Sequence, residues 1–413
     1  MISVYLFDTG PFQAIPGIAE DFRFSLLPFW GNYCLVDFMV ANFLADTISP
    51  DVSAGEGGGN GHGRAPGLSS PELTIVLEES HRSVPVALSS RWKKPLARVI
   101  ALEDPLAELV PLLESSRSDA VIFAALSCVC ILDTAALLAS AAAVAGRIIK
   151  ISASRTPIEM YAASRHTMVS LLRSALDRRT DRKPLRNCLF IETLLPSMDL
   201  LEEVSGDILF QNDLMDYFHN NLWVIRNCAG DSYHRILSRF PELSDKGAES
   251  HIAENGCVRN SWLASGVDVE GEIEDSIVFP NVHIGKNTKI SRSVVLNGNR
   301  IGVGGEIQNS LVLPFSAEIP RNAVTIGDNC SIGSRSSTMK NTEFPSQIRD
   351  GLTVIGMNAE LPPGLRIEAG VCICAGVPSS QLKKLKLIKK GTSIFRQNDS
   401  EARPANGVRK ARR

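Results

Sequence analysis

The chain has 413 residues, of which 44% are hydrophobic and 21% charged, with a formal net charge of −2. That length suits two or three domains, and the composition supplies ample apolar material for packed cores. It excludes a wholly disordered chain and a basic nucleic-acid binder held by phosphate neutralisation. Nine scattered cysteines without a CxxC pair argue against a disulfide framework or a structural zinc site, and for a reducing cytoplasm. The opening MISVYLFDTG lacks the basic segment of a signal peptide.

The N-terminal half alternates short apolar runs with helical patterns. Runs at 73–77, 98–102, 119–125, 147–151, 187–191 and 222–225 predict buried strands. Helical patterns fall at 104–115, 134–145, 156–179, 192–204 and 212–220, the third with Thr156 as N-cap and Pro157 in its first turn. This alternation predicts a mostly parallel sheet with helices on its faces, an α/β domain over residues 1–245. The stretch AGEGGGNGHGRAPGLSS at 54–70 predicts a flexible surface loop in which His62 is solvated. No Lys-Ser/Thr follows its glycines, and no strand and helix frame them, so it is no phosphate-binding loop. The apolar run 120–132 is too short to cross a bilayer and is stopped by Asp133, so it predicts a buried strand rather than a membrane span.

Near residue 250 the pattern changes. The segments VRNSWL, IEDSIV, ISRSVV and IQNSLV each carry an aliphatic residue, two mostly polar ones, a serine and an apolar pair. Their serines, Ser261, Ser276, Ser293 and Ser310, are spaced by 15, 17 and 17 residues, and a second row, Val269, Ile284 and Ile301, keeps the same steps. Such a period predicts a triangular β-solenoid over 250–380, each coil covering the apolar edge of the next. Ile273, Ile290 and Ile307 should stack inside it, with Asn287 and Lys289 pointing outward and tolerant of substitution. Ile284-Gly285, Ile301-Gly302, Ile326-Gly327 and Ile332-Gly333 supply tight corners. A polar interruption is expected at 334–350, and the lysine-rich stretch from Leu382 predicts a capping helix over 381–395, followed by a disordered tail over 396–413.

The run LPFWGNYCLVDF at 27–38 resembles the PFGG-x-Y-R-L-I-D-F segment of glucose-1-phosphate adenylyltransferases, the enzymes that make ADP-glucose for glycogen and starch. Residues 249–313 resemble the start of that family's C-terminal left-handed β-helix, including its NS rows. The regulatory-type paralogue of some bacterial glycogen pathways is the nearer likeness. The resemblance implies an α/β nucleotidyltransferase-like (Rossmann-like) domain followed by an all-β left-handed parallel β-helix of hexapeptide type. It further implies Gly31, Tyr33, Asp37 and Asp213 as substrate-binding residues, with Asp231 as the one residue left for catalysis. The family's glycine-rich nucleotide loop would fall at 6–14, where one glycine and no basic residue stand. Its metal-binding aspartate aligns with Ser127, a poor Mg²⁺ ligand, and its HDFGKD segment keeps only Phe210 and Asp213 at 208–213. Asp231 lacks the flanking tryptophan and arginine of the second metal site.

The function this implies is a regulatory or non-catalytic adenylyltransferase-like subunit of glycogen synthesis. No metal ligand set is assigned, and Mg²⁺ would be needed only by residual nucleotidyl transfer. The implied partners are further copies or a catalytic adenylyltransferase subunit, with a sugar phosphate or nucleotide as ligand, no nucleic acid and no membrane, in the cytoplasm. Pro28, Phe29, Gly31, Tyr33, Asp37, Phe38 and Asn42 also suit a strand-to-helix corner, which is the structural alternative to a residual pocket. Two rival functions are a hexapeptide-repeat acyltransferase, with His283 as the one coil histidine available as general base, and a purely structural scaffold.

Overall fold

A computed structural model describes residues 1–8, 28–30, 32–44, 71–78, 88, 90–126, 128–132, 137–139, 141, 148–153, 156–179, 201–204, 206–210, 213–227, 247–315 and 325–397. In the first half the strands are β1 (Ile2–Phe7), β2 (Glu72–Glu78), β3 (Arg98–Leu102), β4 (Ala120–Ala125), β5 (Cys128–Leu132), β6 (Ile148–Ala153), β7 (Thr156–Ser164), β8 (Leu201–Val204) and β9 (Gly206–Phe210). Seven of them form one sheet in the order β3-β2-β1-β4-β7-β6-β8. The β3-β2-β1-β4 block is parallel, β7 runs antiparallel to both its neighbours, and β6 pairs with β8 in parallel. The helices are α1 (Leu35–Leu44), α2 (Pro105–Ser115), α3 (Arg165–Arg178) and α4 (Leu214–Asn227).

Both faces of the sheet are covered, which is why its strands are apolar without alternation. Along β1, Val4 and Leu6 join the core with Val36, Met39 and Phe218 of α1 and α4. Tyr5 and Phe7 point the other way, into Leu109 and Leu113 of α2 and Met168 and Leu172 of α3. This is a Rossmann-like α/β domain.

Several expected elements are corrected. Residues 156–164 form β7, and the helix starts only at Arg165, where Ser164 caps it by accepting the Thr167 N–H at 3.1 Å. Met160 and Ala162 of β7 enter one core, Tyr161 and Ala163 the other, a period of two that long-range pairing with β4 and β6 fixes. Residues 222–225 are helical, because Leu222 and Ile225 continue the face begun by Leu214, Tyr217 and Phe218. Residues 201–204 are a strand rather than the end of a helix. The run 120–132 divides into β4 and β5, which join different sheets, and β5 pairs with β9. The inner strand β1 has no counterpart among the expected elements. The expected strand at 187–191, residues 192–200, most of the helix at 134–145, the loop at 54–70 with His62, and the tail beyond 397 lie outside the described residues. No described helix is long and apolar enough to cross a membrane.

The second half is a left-handed parallel β-helix of hexapeptide type with three ladders. One face stacks His251–Ile252, Asp268–Val269, His283–Ile284 and Arg300–Ile301, and continues as bridges through Ile326 to Leu361. The second stacks seven strands from Cys257–Arg259 to Leu387–Ile388, and the third seven from Trp262–Leu263 to Ser393–Ile394. On the second face Val258, Ile273, Ile290, Ile307, Ile332, Ile367 and Ile388 lie in direct register. The polar stretch 334–350 leaves at the corner between the second and third faces of one coil without interrupting either ladder. The expected capping helix is a single turn, Ser379–Leu382. Beyond it Ile388 is buried and its neighbour Leu387 exposed, the alternation of a strand, so the lysines flank a last coil.

The repeated serine has a physical role. Ser276 donates to the Glu274 carbonyl at 2.7 Å and accepts the Ser293 N–H at 3.0 Å. Ser293 repeats this with the Ser291 carbonyl at 2.8 Å and the Ser310 N–H at 3.2 Å. The residue before each serine, Asn260, Asp275, Arg292 or Asn309, has φ between 42° and 48°, which turns the corner and suits asparagine. Replacing Ser293 by alanine removes the acceptor of a buried N–H, so a loss of about 1–3 kcal/mol in urea unfolding is expected. The aliphatic-glycine steps bring backbone onto backbone: a Cβ on Gly285 would lie 2.8 Å from the Gly302 carbonyl.

Candidate functional site at the domain junction

The segment carrying the PFWGNYCLVDF run folds into a tight corner. Pro28 bridges Cys34, the Phe29 N–H donates to the Tyr33 carbonyl at 2.8 Å, and Trp30 turns the chain at φ 57°. In the first turn of α1, Asp37 points its carboxylate back to the Cys34 N–H at 2.7 Å, the return half of a capping box. Its oxygens also accept Arg91 Nε at 2.8 and 3.0 Å and Trp92 Nε1 at 2.9 Å, and an Arg91 terminal nitrogen closes the ion pair. Arg91 in turn donates to the Asn32 carbonyl at 3.0 Å. The Asp37 side chain has no exposed surface. It is a fully partnered buried carboxylate within the corner.

The other corner residues face the neighbouring elements. Tyr217 of α4 donates its hydroxyl to the Pro28 carbonyl, and Asn42 accepts the Leu132 N–H at 2.9 Å. Asn32 Oδ1 accepts from the Ser265 hydroxyl at 3.0 Å and its N–H at 3.2 Å, and Trp30 lies against Trp262 at 5.7 Å between ring centroids. The corner therefore joins the α/β domain to the first coils of the solenoid. Tyr33 is half-buried, and burial first, then the Asp37 charge, raises its phenol pKa against the opposing effect of Arg91. Burial pushes the Cys34 thiol up to about 12, which leaves it un-ionised and unreactive.

Asp213 makes a second tie. One oxygen caps α4 by accepting the Asp216 N–H at 2.8 Å, and the other pairs with Arg349 of the solenoid excursion at 2.9 Å. Both of its oxygens are engaged in these contacts. The structure thus ties Asp213 to the solenoid, and places Tyr33 and Asp37 in the corner whose Trp30 and Asn32 meet the first coils. Gly31, Ser127 and Asp231 lie outside the described residues. Arg91 and Trp92, which complete the Asp37 site, carry no motif that would single them out. A cavity of about 690 Å³ opens at the amino ends of β1, β2 and β3, lined by Ser3, Tyr5, Glu72, Thr74, Arg98 and Ser116. Ligands of open α/β sheets bind at the opposite, carboxyl edge.

On the first solenoid face a second polar group stands out. His283 is not the one coil histidine: His251 lies on the same ladder, with Asp268 between them. Asp268 takes His251 Nδ1 at 3.0 Å on one oxygen and His283 Nδ1 at 2.9 Å on the other. The His251 hydrogen bond and, beyond the opposing desolvation, that of His283 hold its carboxyl below the usual range. Glu270 flanks it and faces Lys286 at 3.8 Å.

Residues 245–355 match the family described as GlmU-like, C-terminal hexapeptide. The chain is 25% identical over 154 residues to the glucose-1-phosphate adenylyltransferase of Desulfitobacterium hafniense, covering 37% of this chain and 35% of that protein. It is 24% identical over 151 residues to the Acetivibrio thermocellus enzyme of the same name, covering 37% and 33%. For the Thermomicrobium roseum enzyme the figures are 30% over 143 residues, 34% and 32%. Its likeness to glucose-1-phosphate adenylyltransferases is therefore real but partial, spanning about a third of the length of the curated relatives it matches.

Proposed function

We propose that this chain is a glucose-1-phosphate adenylyltransferase-like protein of glycogen synthesis that serves as a regulatory or non-catalytic subunit. It would act in the cytoplasm, assembled with further copies or with a catalytic adenylyltransferase subunit. The observation that carries this reading is the engagement of Asp37 in the ion pair of its own corner and of Asp213 in a tie to the solenoid. Nucleotidyl transfer also needs carboxylates to hold Mg²⁺ against a triphosphate, which the resemblance places at positions other than Asp37 and Asp213, and a serine, Ser127, stands at one of them. A sugar phosphate or nucleotide bound without turnover would be its signal.

The isolated chain is expected to make no ADP-glucose from ATP and glucose 1-phosphate in the presence of Mg²⁺, as followed by pyrophosphate release. Mg²⁺-dependent release that disappears in Asp231→Ala would sink the proposal. Calorimetric titration with glucose 1-phosphate separates a sensing subunit from a bare scaffold, and co-purification with an intact adenylyltransferase tests the partner. A second reading, a hexapeptide acyltransferase, draws on His283, whose Nδ1 is held by Asp268 as a general base's would be. Acyl transfer from an acyl thioester, lost in His283→Gln, would favour it.

A further inference from the structure

We propose that Asp268, Glu270 and His283 form a binding site for one divalent first-row transition cation on the outer face of the solenoid. One donor atom from each of the three lies within 4.8 Å of both others. Donors bound at about 2.0–2.2 Å sit roughly 3–4 Å apart around one ion, so closure needs only small side-chain rotations. The Asp268 oxygen and His283 Nδ1 already stand at 2.9 Å, the spacing of adjacent ligands, and the ion takes the place of the proton between them, which moves to Nε2 or leaves to solvent. The backbone beneath is fixed, because Asp268 and His283 are direct partners in the parallel ladder and Glu270 follows two residues after Asp268, on the same outward side. His251 hydrogen-bonds the far oxygen of Asp268 from the preceding coil and acts as the outer partner that orients the carboxylate.

The donor set selects the ion. One imidazole nitrogen with two carboxylates suits Zn²⁺ or Co²⁺, whereas Mg²⁺ and Ca²⁺ prefer oxygen alone. Two carboxylates balance a divalent charge. Two cations face the site: Lys286, whose exposed side chain reaches Glu270 at 3.8 Å, and Arg300, the ladder partner of His283. The Lys286 contact is loose and solvent-exposed, and its ammonium leaves at little cost. The side chains half-exposed around the ion leave room for water in the remaining positions.

The test is calorimetric titration of Zn²⁺ into the full chain without a histidine tag, with Co²⁺ absorption as a report on the ligands. One Zn²⁺ per chain is expected, unaffected by excess Mg²⁺, and weakened about tenfold or more by either Glu270→Gln or His283→Gln. His219→Gln, on α4, should bind as the parent does. Circular dichroism melts of the two variants should match the parent, since both side chains lie outside the packed prism. Absence of Zn²⁺ binding, affinity unchanged from the parent in either variant, or thiolate charge-transfer bands with Co²⁺ would each overturn the assignment, the last by pointing to cysteine ligands.

Discussion

Replacing Asp37 by alanine is expected to destabilise the chain by about 3–5 kcal/mol, because it strands the Arg91 guanidinium in the interior without its counter-ion. The same change leaves the Trp92 indole N–H and the Cys34 N–H without the acceptor they share. Arg91→Ala should cost a comparable amount for the converse reason, a buried carboxylate left uncompensated. The double variant should lose clearly less than the two single losses combined, since each single change carries the penalty of the orphaned partner. Urea unfolding of the three variants measures this coupling. The outcome also decides between two uses of the corner. If Asp37→Ala loses affinity for glucose 1-phosphate at unchanged stability, the carboxylate is a ligand-binding group and the junction reading fails.

The solenoid was legible because its chemistry repeats. Each of the first four coils carries an inward aliphatic residue, a serine at the corner and a residue of positive φ before it, and the same three recur at steps of 15, 17 and 17 residues. The α/β half was less so. Strands covered on both faces read as plain apolar runs, and a helix face such as Leu222 to Ile225 gives the same signal over four residues. Thr156-Pro157 has the look of a helix start, but β7 is decided by antiparallel pairing with strands on either side of it. The lysines at 383–390 suggested a solvated helix, whereas Ile388 fills the end of an inward row that starts at Val258, 130 residues earlier. At the candidate site Tyr33, Asp37 and Asp213 were visible as motif residues, yet their roles depend on partners 54 and 136 residues away in sequence. No local pattern announces Arg91 or Arg349 as those partners.

Replacing Ile290 by alanine should cost about 2–5 kcal/mol, near the top of that span if the cavity stays open. Its side chain is fully buried between Ile273 below and Ile307 above. Those neighbours cannot close the gap, because hydrogen bonds between coils hold the spacing: Glu272 N–H to the Thr288 carbonyl at 2.8 Å and Lys289 N–H to the Gly305 carbonyl at 2.8 Å. Lys289, one residue earlier, points outward and pairs loosely with Glu272 at 3.5 Å, so Lys289→Ala should stay within about 0.5 kcal/mol of the parent. Asn287 is outward too, but the sequence-based expectation of tolerance does not hold there. Its φ is 57°, and alanine in that conformation should cost about 1–2 kcal/mol. Unfolding curves of the three variants should therefore fall in the order Ile290, Asn287, Lys289. Equal midpoints for Ile290→Ala and Lys289→Ala would contradict the inward register of the whole row, since the same alternation places Ile273, Ile307 and Ile332 inside.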